Sequence, residues 1–181
     1  MSPQSQRFPA SSRVLHWLMA VLVLAMLFIG VGMAASESAR YSTLVAIHKP
    51  LGIAILILVV IRIVNRLIHR PPPLPADMPA IQRFAAHASH IMLYALMFLM
   101  PIIGWSMLSA AGYPIVLLGP LHLPPILTQN ATVYATLRQL HTILAYLLFA
   151  TFLLHFAAAL FHGLIRRDGV LQSMASWRSG R

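Results

Sequence analysis

Residues 140–165 read LHTILAYLLFATFLLHFAAALFHGLI, and this stretch decides the fold. It carries no Asp, Glu, Lys or Arg and is long enough to cross a bilayer core of about 30 Å with some tilt. Three histidines interrupt it, His141, His155 and His162. On a helix advancing about 100° per residue, the steps of 14 and 7 residues rotate the side chain by only about 40° and 20°. One helical face therefore carries an imidazole, a second about 21 Å along and a third about 10 Å further. Ionisable groups inside a span are candidates for function. Three on one face of so apolar a helix outweigh ordinary hydrogen bonding between helices.

Composition extends this reading to the whole chain. Of 181 residues, 59% are hydrophobic and 9% charged, with a mean hydropathy of +0.79. A soluble domain carries roughly 25% charged residues, so this is a membrane protein. Four apolar runs are long enough to span, at 14–35, 44–61, 91–111 and 140–165. Little sequence lies outside them. The expected architecture is all-α: one integral-membrane four-helix bundle over 8–170, followed by a cytoplasmic tail, 171–181. The first run follows Arg7 and Arg13 and ends in small residues, as a signal peptide does. At about 22 residues it exceeds the usual core of 7–15, so it is read as the first span.

The net charge of +10 is a topology signal rather than a nucleic-acid footprint. Ten of the thirteen basic residues flank one side of the bundle: Arg7, Arg13, Arg62, Arg66, Arg70, Arg83, Arg166, Arg167, Arg178 and Arg181. Arg40, Lys49 and Arg138 lie on the other. Positive-inside asymmetry then puts both termini in the cytoplasm. Several chemistries are excluded. With no cysteine there is no disulfide, no cysteine-held iron–sulfur cluster and no CxxCH attachment of haem. The three acids, Glu37, Asp77 and Asp168, all fall outside the spans, so no carboxylate pair acts inside the membrane.

The connections carry their own signals. The second span opens on His48-Lys49-Pro50-Leu51-Gly52, where proline is tolerated in a first turn. It ends with Arg62 and Arg66, candidates to reach lipid phosphate or a haem propionate. The run Arg70-Pro-Pro-Pro-Leu-Pro is a stiff extended linker. His87 and His90 then open the third span, which Pro101 should kink and where Gly104 admits a close neighbour. The segment 112–130, with four prolines, is too broken to span and is expected to lie across the outer face as a lid.

Topology sorts the histidines. His48 and His141 lie near the outer surface, His16 near the inner one and His155 deeper on the fourth span. Neutral imidazole is a ready ligand for haem iron, and any haem here must be held by His or Met. The spacing permits an outer haem between His48 and His141 and an inner one between His16 and His155. His16 with His162 is the rival inner pair, but it would set the fourth-span ligands about 31 Å apart. Two histidines on one iron fill both axial positions, which suits electron transfer rather than oxygenation.

Arg13-Val-Leu-His16-Trp17, His48-Lys49-Pro50-Leu51-Gly52, Arg62 with Arg66, Pro101-Ile-Ile-Gly104-Trp105, and His141, Tyr146 and His155 occur in this order. In these pieces the chain resembles the bacterial di-haem cytochrome b561 family, which includes the membrane superoxide oxidase, a superoxide:ubiquinone oxidoreductase. The resemblance implies two b haems ligated by His16, His48, His141 and His155, residence in the inner membrane, and quinone reduction near the cytoplasmic side. It leaves two functions open. In one, superoxide is oxidised at the outer haem, with Arg40, Lys49 and Arg138 steering the anion, and electrons pass to ubiquinone. In the other, the chain is a subunit carrying electrons between a partner dehydrogenase or hydrogenase and the quinone pool. Quinone reduction needs two protons, and His162, with His87 and His90, are the candidate donors.

Overall fold

The computed structural model describes residues 7–36 and 39–175. Arg178 and Arg181, counted in the basic excess, and Glu37 lie outside these residues, as does 176–181 of the expected tail. Four long helices cross in alternation: α1 (Ala10–Ala34), α2 (Ala39–Ile68), α3 (Ala80–Ala110) and α4 (Ala131–Leu160). Each starts about one to three turns ahead of its apolar run, because polar flanks continue a helix once an apolar segment has nucleated it. α4 runs on through a π-helical turn, Phe161–Arg166. A short α5, Val170–Ala175, then folds back beneath α1. Phe8 N–H donates to the Ser173 carbonyl at 3.2 Å, and Trp17 Nε1–H donates to that of Met174 at 3.2 Å. Both ends of the described chain therefore share one face of the bundle.

The core is narrow. Met19, Val23 and Leu27 of α1 interlock with Ile55 and Val59 of α2, Leu93, Leu96 and Met97 of α3, and Leu148 of α4. Outward, large apolar side chains stand bare, Phe28 at 70% exposure and Leu154 at 71%. In water that would be untenable, so these faces meet lipid. Lipid supplies no hydrophobic drive between helices, which leaves close packing as the main cohesion.

The all-α expectation needs one addition. Within the loop after α3, β1 (Ile115–Leu118) pairs antiparallel with β2 (Leu121–Leu123), with a bulge between Val116 and Leu118. Gly119 at φ +53° followed by Pro120 makes the tight turn. An unbroken run of four apolar residues and a three-residue alternation gave too weak a strand signal to outweigh the prolines. Ile115 is buried against the bundle, and Trp105 Nε1–H donates to the Pro124 carbonyl at 2.9 Å. Asn130 caps α4 by accepting from Val133 N–H at 3.0 Å.

Candidate functional site

The histidines gather at the two ends of the bundle. At the hairpin end, the rings of His48 (α2) and His141 (α4) face one another with centroids 6.2 Å apart. Both are largely withdrawn from solvent, and the buried Nδ1 atom of each has no hydrogen-bond partner. The Met100 backbone approaches His141 but not with hydrogen-bond geometry at Nδ1. Gly104 packs against His141, where a Cβ would stand in contact with its Cε1 at 3.4 Å. Buried polar atoms are ordinarily paired, so two orphaned imidazoles side by side mark a site built for a ligand.

At the other end, His16 (α1), His90 (α3) and His155 (α4) converge. His155 lies 6.4 Å from His16 and 5.2 Å from His90, centroid to centroid. The depth mismatch read from the sequence closes because α1 begins at Ala10, ahead of Arg13, and brings His16 level with His155. Arg62 and Arg66 both lie over the Tyr94 ring, at 5.5 and 5.9 Å. Arg62 also donates to His16 Nδ1 at 2.9 Å. A guanidinium has no acceptor, so the neutral His16 ring carries its proton on Nε2.

A metal–imidazole nitrogen bond is about 2.0 Å, so two rings ligating one iron from opposite sides hold their centroids roughly 6 Å apart. The pairs His48–His141 and His16–His155 match that spacing, whereas His90–His155 is about an ångström short of it. The donor sets therefore fit haem iron, with one qualification at the inner pair. Ligation through Nε2 of His16 would move its proton to Nδ1, where it would face Arg62, so that contact must be given up.

The remaining candidates scatter. His162 meets Asp168, Nδ1 to Oδ2 at 2.6 Å, and makes no ring contact with His16, His90 or His155 among the described residues. His87 is exposed and donates from Nδ1 to the Arg83 carbonyl at 2.7 Å. Lys49 reaches the Pro114 carbonyl at 3.5 Å, tying α2 to the hairpin. Arg138 is exposed and lines an open groove with Tyr134, Gln139 and Thr142. Arg40 stands in the first turn of α2. Sequence reasoning missed Tyr94, although its place one turn after His90 was available, and it named Asp168 only as an acid outside the spans, not as the partner of His162.

Across residues 7–177 the chain matches the family model described as prokaryotic cytochrome b561. The chain belongs to the prokaryotic cytochrome b561 family. It is 33% identical to cytochrome b561 homolog 2 of Escherichia coli (strain K12), covering 93% of this chain and 91% of that one. It is 31% identical to the probable superoxide oxidase CybB of Yersinia pestis, covering 92% and 94%. The chain is thus a bacterial multi-pass membrane electron-transfer protein of this family, and the family implies haem b. That cofactor is the one its paired imidazoles suit.

Proposed function

We propose that this cytochrome oxidises superoxide at the hairpin face and reduces ubiquinone at the opposite, cytoplasmic face of the bacterial inner membrane. The observation that carries the reading is the pair of facing imidazoles at each end of the bundle, at 6.2 and 6.4 Å. When bound, two haems b, at His48–His141 and His16–His155, supply one-electron carriers. The likeness to a probable superoxide oxidase supports the donor. The excess of arginine on the face of the chain ends supports cytoplasmic termini. Two superoxide ions become two molecules of oxygen, and their two electrons with two protons convert ubiquinone to ubiquinol.

The chain's own residues govern access at both faces. Superoxide is an anion, and Lys49, Arg138 and Arg40 present positive charge on the outer side, which raises its local concentration and encounter rate. At the inner side Arg62 and Arg66 are the candidates to hold propionates, while His162, His90 and His87 are the candidate donors to the quinone. The test is stopped-flow mixing of the haem-loaded protein with superoxide, with and without ubiquinone. A second-order reduction that slows with salt is expected. Lys49→Gln or Arg138→Gln should lower it roughly two- to five-fold at low ionic strength and flatten the salt dependence, with haem content unchanged. Absence of direct reduction by superoxide would favour the carrier of a docked dehydrogenase or hydrogenase. A salt-independent parent rate would count against capture of an anion.

A further inference from the structure

Among the contacts not yet accounted for, that between His162 and Asp168 is the most built. Nδ1 and Oδ2 lie 2.6 Å apart, with side chains only 12% and 9% exposed. That is a close contact, at the short end of charge-assisted hydrogen bonding. The backbone goes out of its way to make it. The helix widens to a π turn at Phe161–Arg166, closed by Arg167 N–H donating to the His162 carbonyl at 2.8 Å. Arg167 then turns left-handed at φ +53° and Gly169 at φ +83°. Gly163 lets α5 close in, since a Cβ there would collide with the Leu171 side chain. π turns are rare and gather at functional sites. Asp168 spends Oδ1 on the Val170 N–H at 3.2 Å, which caps α5, and turns Oδ2 to the imidazole and to Arg166 Nε at 3.3 Å. Arg166 is meanwhile held by Asp77 at 2.8 Å and Gln82 at 2.9 Å.

We propose that Asp168 is the positioning residue of a proton-delivering pair in which His162 protonates the quinone. This rests on the reading that ubiquinone is reduced at the cytoplasmic end. An ionised carboxylate only accepts hydrogen bonds, so it holds a proton on Nδ1 and makes Nε2 the nitrogen that gains and loses one. For each proton delivered, the Nε2–H bond of the imidazolium breaks and an O–H bond forms on the quinone. A proton from cytoplasmic water then restores Nε2. Two such transfers accompany the two electrons supplied by two superoxide ions and leave ubiquinol. Asp168 stays ionised throughout, so the pair returns to its starting state.

The experiment uses the full, haem-loaded chain in detergent, reduced with dithionite and mixed with a short-chain ubiquinone in water and in D2O. Asp168→Asn keeps the acceptor for Val170 but loses the charge. It should slow haem reoxidation by about ten-fold or more, below the full 10²–10⁴ of general acid catalysis, and enlarge the solvent isotope effect. Asp168→Glu should recover much of the rate. Arg166→Gln breaks the neighbouring ion pairs but spares His162–Asp168, and should stay near the parent. Asp168→Asn at the parent rate would overturn the proposal. So would equal slowing by Asp168→Asn and Arg166→Gln with no change in isotope effect. His162→Ala reoxidising at the parent rate would instead remove the quinone reading itself. Nitrogen-15 NMR of the labelled imidazole needs no variant. A Nδ1–H, bare-Nε2 tautomer of neutral His162 is expected, and the opposite tautomer would overturn the proposal.

Discussion

His141→Ala is expected to lose one of two haems and to abolish reduction of the protein by superoxide. The outer pair has no substitute, since His48 and His141 are the imidazoles that meet at that end and no other ring contacts them among the described residues. His48→Ala should give the same phenotype through the opposite ligand. Chemical reduction should still reach the remaining haem, because its ligands lie on α1 and the inner part of α4. Haem-to-protein ratio and difference spectra check this. Two haems retained by His141→Ala would contradict the assignment.

The second large effect separates His16 from His90. His16→Ala should empty the inner site, leave reduction of the outer haem by superoxide at the parent rate, and slow delivery to ubiquinone. The loss should exceed the roughly 10–100-fold that removal of a mere supporting partner costs. His90→Ala should retain both haems, because its ring stands 5.2 Å from His155, too close for an iron bonded to both. Stopped-flow traces at the two haem absorptions, with quinone present, distinguish the two variants. Loss of haem from His90→Ala with retention in His16→Ala would reverse the ligand choice.

Much of this arrangement could be read from residues alone, for a physical reason. A membrane span must satisfy its own backbone and be apolar throughout, so its length and any histidine within it stand out in a linear sequence. The partners of Arg62 and the meeting of His16 with His155 depend on how far helices extend past the bilayer core. Apolar runs do not record that, which is why the depths of those two residues looked unequal. Segment 112–130 was legible as too broken to span but not as a hairpin, since its pairing hangs on a bulge and a Gly119–Pro120 turn. Asp168 was illegible. A projection at 100° per residue continues the helix smoothly through His162, whereas the π turn and the left-handed Arg167 fold the carboxylate back onto that ring. Tyr94 was obscured for a plainer reason, as one aromatic among many in an apolar run.

The central claim, two bis-histidine haems at opposite ends of one four-helix bundle, is tested most directly by counting them. A pyridine haemochrome assay on the purified parent, normalised to protein by amino-acid analysis, should give two extractable b haems per chain, there being no cysteine to anchor either. One haem per fully loaded chain would contradict the account.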